Sequence, residues 1–185
     1  MGEPGTKEIL SLDELEAAGR LRTGRKHVLS ILVENKPGVL TRIAGLFARR
    51  GFNIDTLAVG PTDDEHLSRI TLTLDGAIHP IDQVTKQLHK LVNVLKIRDL
   101  EPEETLAREL ALFKVAVDGV ARAEVMQLCE IFRAKVVDVS RRSVTVEVTG
   151  THEKIEAFER LIRPFGVIEM ARTGEIAIAR GRGET

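Results

Sequence analysis

The 185-residue sequence predicts an α+β protein made of two small units in tandem, each in the order βαββαβ. Three observations carry that prediction. Short apolar, strand-like runs alternate with stretches of helical periodicity. The same order of elements occurs twice along the chain without sequence identity. A charged, proline-marked stretch, Glu101-Pro102-Glu103-Glu104-Thr105, reads as the linker between the two repeats.

In the first repeat, "HVLSILV" (His27–Val33) reads as a strand that is apolar on nearly both faces. Val39 to Arg50 reads as a helix whose buried stripe is Leu40, Ile43 and Phe47, with Gly51 as its left-handed stop. "FNIDTLAV" (Phe52–Val59) is expected to be the second strand, followed by a polar turn from Pro61 to Leu67. "SRITLTLDG" (Ser68–Gly76) alternates cleanly, which points Ile70, Leu72 and Leu74 inward and Arg69, Thr71 and Thr73 outward. Pro80 is placed to start a helix with Ile81, Val84, Leu88 and Leu91 on one face. "VLKIRDLE" (Val94–Glu101) closes the unit. This is the ferredoxin-like plan, a four-stranded sheet with two helices on one side.

In the second repeat, "ELALFKVAV" (Glu109–Val117) is a strand. Ala121 to Arg133 is a helix with Val125, Leu128 and Phe132 inward and Cys129 on the buried side. "KVVDVS" and "SVTVEVTG" form two strands around an Arg141-Arg142 turn. His152 to Arg163 is a helix with Ile155, Phe158 and Ile162 at i, i+3, i+7, and "GVIEMAR" begins the last strand. The expected organisation is therefore a flexible tail at 1–25, one unit at 26–101 and a second at 102–185. Units of that size build marginal cores, so each is expected to associate with a neighbouring sheet.

Composition narrows the function. No stretch approaches the roughly 18 apolar residues of a membrane span, and no apolar core of a signal peptide is visible in residues 1–26, which places the protein in the cytoplasm. The single cysteine excludes a disulfide framework within one chain, and a net charge of −1 gives no overall pull toward nucleic acid.

Catalytic constellations are poor. The five histidines (His27, His66, His79, His89 and His152) are scattered, and none has the i, i+4 partner of a helical metal pair. "HEKIE" at His152 ends in Glu156 where a metalloprotease helix needs a second histidine. Asp63-Asp64-Glu65 reads as a solvated turn, and no glycine-rich phosphate loop is present. RNA-recognition modules share the βαββαβ plan, but they stack bases on exposed aromatic residues, and this chain has no Tyr or Trp. The first loop also lacks the phosphate-cradling arginine of an acylphosphatase.

What remains is "ENKPGVL", Glu34 to Leu40. Gly38 leads into a helix whose first N–H groups have no partner within the helix, and a helix start favours negative charge. Glycine lets a carboxylate approach the backbone, and the Asn35 amide can both donate and accept. Asn53, read as beginning the second strand, is expected on the same edge as a second amide. Val39, Leu40 and Ile54 beside them are apolar. The composite fits a dipolar α-amino acid with a short aliphatic side chain. On residue types alone an alternative stays open, in which Pro37-Gly38 only punctuates and Asn53 only caps a turn.

The strings "ILVENKPGVLTRIAGLFARRGFNIDTLAVGPTDDEHLSRITL", "QLHKLVNVLKIRDL" and "EIFRAKVVDVS" closely resemble the regulatory (small) subunits of acetolactate synthase, also called acetohydroxyacid synthase. The likeness runs from about His27 to Gly181, and its first half resembles an ACT domain, the amino-acid-sensing form of the ferredoxin-like plan. The resemblance implies no catalytic site and no cofactor in this chain. It implies activation of a catalytic subunit carrying thiamine diphosphate, magnesium and FAD, in an enzyme of the transferase class, with feedback inhibition by valine. It also implies a homodimer through the ACT domain. The effector site would lie between the first loop of one chain and the start of the second strand of its mate, on Asn35, Gly38, Val39, Leu40, Asn53 and Ile54. The second unit has Asp118-Gly119-Val120 where the first has the Asn-Lys-Pro-Gly loop, so it is not expected to sense ligand in the same way. The alternative is a free-standing ACT-type amino-acid sensor, but such a sensor has no need of residues 102–185.

Overall fold

The computed structural model describes residues 26–75, 81–181 and Thr185. The tail read over 1–25 and the helix start placed at Pro80 lie outside the described residues. The βαββαβ order occurs twice, as expected.

The first unit consists of β1 (Lys26–Glu34), α1 (Val39–Arg50), β2 (Thr56–Pro61), β3 (Leu67–Asp75), α2 (Ile81–Leu88) and β4 (Val94–Leu100). Its antiparallel sheet runs in the order β2-β3-β1-β4. The apolar β1 takes a central place because it must be covered along its length, and it pairs with β3 from Lys26↔Asp75 to Glu34↔Leu67. Leu29, Ile31, Ile70 and Leu72 meet Ile43, Phe47, Val84 and Leu88 of the helices in one core.

Two readings of this unit change. The buried stripe of α1 is Val39, Ile43, Leu46 and Phe47, whereas Leu40 is 42% exposed. The helix is rotated by one residue from the expected wheel, because Val39 rather than Leu40 drops into the core beside Ile43. The second strand also starts later than Phe52. Phe52 N–H donates to the Phe47 carbonyl at 3.0 Å across the left-handed Gly51, so the residue finishes the helix instead of starting a strand. Its ring packs edge-on against Phe47.

The second unit consists of β5 (Thr105–Ala116), α3 (Gly119–Phe132), β6 (Lys135–Val139), β7 (Ser143–Gly150), α4 (His152–Ile162) and β8 (Val167–Arg172), with the sheet order β6-β7-β5-β8. Ile155, Phe158 and Ile162 are fully buried, and Phe158 meets Phe113 and Phe132 at ring separations of 5.4 and 5.3 Å. Burial pushes the Cys129 thiol above its ordinary range, as suits a small core residue rather than a nucleophile.

A further strand, β9 (Ile176–Ala179), escaped the sequence reading. It pairs with Thr105–Arg108, the first third of β5, so the strand begins directly after the short Pro102–Glu104 turn and not at Glu109. This two-stranded ribbon packs on β1 and β4, across the face of the first sheet that carries no helices. Thr71 and Thr73 do point away from the helices, but they are buried, as is Ser30 beside them. The first sheet therefore has helices on one face and its own chain on the other. No helix among the described residues is long and apolar enough to cross a membrane.

Candidate functional site

The loop between β1 and α1 is held from both sides. Asn35 N–H donates to the His66 carbonyl at 2.7 Å, and its side-chain Nδ2 donates to the Glu65 carbonyl at 3.0 Å. These bonds tie the loop to the β2–β3 turn. They leave Oδ1 of Asn35 without a hydrogen bond among the described residues. On the other side Arg42 donates to Asn93 Oδ1 at 2.6 Å, Asn93 donates in turn to Glu34 Oε2, and Lys36 Nζ donates to Glu34 Oε1 at 3.0 Å. The hydrogen bonds from Asn93 and Lys36 hold the Glu34 carboxyl below the usual carboxylate range. Local sequence does not reveal this bracing, because Asn93 reaches the loop only through the pairing of β4 with β1.

Gly38 has φ 84° and ψ −6°, a left-handed conformation that favours glycine, and it caps α1 without any side-chain hydrogen bond. A Cβ built there meets no atom within 4 Å, so the space before the helix start is open. The corresponding helix of the second unit starts differently. Asp118 Oδ1 accepts from Val120 N at 3.0 Å and from Ala121 N at 2.9 Å. That helix start is occupied by the chain's own carboxylate. The start of α1 is not.

The remaining residues divide. Val39 is buried in the core, so only its backbone faces the loop, while Leu40 is exposed beside it. Asn53 is exposed and donates to Asp55 Oδ1 at 3.3 Å, and Ile54 is half-buried against the first core. The structure does not bring Asn53 and Ile54 to the Asn35 loop of the same chain, contrary to the expectation of a shared edge. Thr56 is level with Thr73 and Val28, whereas Asn35 follows Glu34 at the other end of β1. The twelve residues of α1 run back between them, roughly 18 Å of helix.

A second polar cluster lies where the two units touch. Glu109, whose side chain is 1% exposed, accepts two hydrogen bonds from Arg172, at 2.7 and 2.8 Å. Burial alone would raise the Glu109 carboxyl, but the bonds and charge of Arg172 outweigh it and hold the group below its ordinary value. His152 lies 2.9 Å from Glu156 and 3.1 Å from Lys26 Nζ of β1, which gives the "HEKIE" segment a structural place. Among the described residues no group of three or more His, Cys, Asp or Glu side chains is arranged to hold a metal ion.

Residues 29–96 match the family described as the AHAS small subunit-like ACT domain, and residues 108–181 match the small subunit of acetolactate synthase. The chain belongs to the acetolactate synthase small subunit family. The small subunit from Mycolicibacterium smegmatis is 50% identical over 155 residues, which span 84% of this chain and 91% of that protein. A probable acetolactate synthase small subunit from Archaeoglobus fulgidus is 49% identical over 156 residues, covering 84% and 98%. The crystal structure of the acetolactate synthase small subunit from Thermotoga maritima superimposes with a TM-score of 0.79 at 45% identity, covering 86% of this chain and 99% of that one. The first unit is accordingly an ACT domain, and the Thermotoga maritima small subunit shares the fold.

Proposed function

We propose that this chain is the non-catalytic regulatory subunit of an acetolactate synthase. It binds and activates a thiamine-diphosphate-dependent catalytic subunit in the cytoplasm. It also makes that enzyme sensitive to valine, the feedback inhibitor of branched-chain amino-acid synthesis. Thiamine diphosphate, magnesium and FAD belong to the catalytic subunit in this reading, and this chain holds none of them.

The observation that carries the effector role is the contrast between the two helix starts. The Val39 N–H of α1 turns back to the Lys36 carbonyl at 3.3 Å, but the next two, of Leu40 and Thr41, have no side-chain cap, whereas their counterparts in α3, Val120 and Ala121, already have the Asp118 carboxylate. A ligand carboxylate fits the first and has no place at the second. The exposed Leu40 offers an aliphatic contact, and Asn35 Oδ1 is an acceptor suited to an ammonium.

A second copy completes the site in this proposal. β2 is an edge strand, and its Leu57 and Val59, which share the helix-side face with Leu72 and Ile70, are 36% and 48% exposed. Antiparallel pairing of β2 with the same strand of a second chain would cover them. It would also set the partner strand's first residues beside the last residues of β2, at the end of the sheet where β1 finishes. Asn53 and Ile54 of one chain then face Asn35, Gly38, the backbone of Val39 and Leu40 of the other.

Valine bound there acts by favouring one state of the assembly over another. Such coupling is typically about 1–3 kcal/mol and is reciprocal for binding, so whatever ligand favours the active state weakens valine by the same factor. The test is reconstitution. A co-expressed catalytic subunit should co-purify with this chain, gain activity from it, and become inhibitable by valine only in its presence. A catalytic subunit with the same activity and valine response with and without the chain would contradict the proposal.

A further inference from the structure

A cavity of about 500 Å3 lies between the first sheet's helix-free face and the β5–β9 ribbon. None of the six residues of the effector proposal lines it. Its floor is formed at β2 by Ala58 and Gly60, two small residues, and a Cβ built on Gly60 points into open space. Its apolar wall is Leu106, Ile176 and Ile178 of the ribbon, which are 39%, 61% and 51% exposed. A volume of this size with mainly apolar walls is in the range that takes small organic ligands.

Two arginines line it, one from each unit, Arg69 half-buried and Arg108 exposed. Arg69 of β3 donates to Ser30 Oγ at 2.9 Å, and Arg108 of β5 donates to the Ala107 carbonyl at 2.6 Å. Each guanidinium carries five N–H donors, so both keep several. Among the described residues neither has a carboxylate within ion-pair distance, and the one acid at the cavity, Asp63, is exposed at its rim. An apolar patch of a second chain laid over this surface would bury both cations without a counter-charge, which is unfavourable.

We propose that this cavity binds a small aliphatic carboxylate. Arg69 and Arg108 hold the carboxylate, and Leu106, Ile176 and Ile178 cover the hydrocarbon. Because the ligand touches both units, it ties the β5–β9 ribbon to the ACT sheet, and it does so independently of the loop at Gly38.

The test is calorimetric titration of the full chain with two probes, octanoate as a simple carboxylate and leucine as an α-amino acid. Each is repeated in a Gly38→Asp background, which removes the effector proposal from the readout. The proposal expects saturable binding of at least one probe, unchanged by Gly38→Asp. Arg69→Gln and Arg108→Gln should each weaken it about tenfold or more, the loss of one charge-assisted contact. Ile178→Trp, at an exposed position, should fill the cavity and abolish binding while the melting curve stays cooperative. Leucine binding that Asp63→Asn weakens assigns the α-amino acid, with its ammonium at Asp63. Octanoate binding indifferent to Asp63→Asn assigns the simple carboxylate. Three results would overturn the proposal: no saturable binding of either probe, binding unchanged in all three cavity variants, or a change in sedimentation caused by Ile178→Trp. The last would make the cavity a contact between copies.

Discussion

Asn35 and Asn53 stand at opposite ends of the same sheet, separated by the six steps along β1 from Val28 to Glu34, roughly 20 Å at about 3.4 Å per residue. Two amides that far apart cannot hold one amino acid within a single chain. They can do so only across two chains, and the proposed function turns on that arrangement.

Asn53→Ala removes the side-chain amide without changing the backbone. Asn53 is exposed and bonds Asp55 at 3.3 Å, so thermal stability should fall by the roughly 0.5–1.5 kcal/mol of an ordinary hydrogen bond. If the amide also bonds valine, a charge-assisted contact worth about 1.5–3 kcal/mol disappears, which is roughly ten- to hundredfold in affinity. Titration of valine beside a melting curve separates the two effects. Unchanged affinity would return Asn53 to a purely local role.

Gly38→Asp places a carboxylate at the open start of α1, as Asp118 does at α3. Valine inhibition should be lost while activation of the catalytic subunit is kept. The left-handed backbone should cost about 1 kcal/mol, so Gly38→Ala serves as the control for strain alone. Wild-type valine sensitivity in the aspartate variant would refute the carboxylate assignment.

Much of this was legible in the sequence, and what was not has a common cause. The stripes of α2 and α4 follow from local periodicity, and Gly51 marks the end of α1. The loop at Asn35–Leu40 stood out because an amide, a proline and a glycine interrupt an apolar run. The place of Asn53 was misread because it depends on strand register, which no local pattern contains. The same holds for β9, a four-residue Ile-Ala strand whose partner segment, Thr105–Arg108, falls between the linker's end and the strand read from Glu109. The burial of Thr71 and Thr73 follows from that missed strand. Leu40 was misassigned by a one-residue rotation, which a helical wheel with apolar residues at both Val39 and Leu40 cannot resolve.

Arg172→Met leaves the buried Glu109 carboxylate with His152, at 3.4 Å, as its hydrogen-bonding side chain. Breaking such a pair should lower stability by roughly 3 kcal/mol at neutral pH, measured by denaturant unfolding. In the wild type the Glu109 carboxyl titrates below its unfolded value of about 4.3, so its contribution is fully present above that pH and is lost as pH falls through the lower, folded value. Wild type and variant should therefore converge in acid. A constant difference down to the acid limit would contradict the assignment.

Glu175 gives the opposite sign. Burial raises its carboxyl above the ordinary range, so the charged form is disfavoured by folding. The penalty is full above the raised folded value and fades as pH falls toward about 4.3. Glu175→Gln should raise the melting temperature at pH 7 and lose that advantage near pH 4. A variant less stable than wild type at pH 7 would show that the carboxylate makes a favourable contact instead.

The shared effector site is tested most directly by a mixed dimer, with Gly38→Asp on one chain and Asn53→Ala on its mate, purified through two different tags. Each variant alone should bind valine poorly. In the mixed dimer a site built from Gly38 of one chain and Asn53 of the other is doubly damaged at one position and intact at the second. Titration should therefore recover wild-type affinity at one valine per dimer. If each site lies within one chain, both sites of the mixed dimer carry a lesion, and the titration would show no wild-type binding at all.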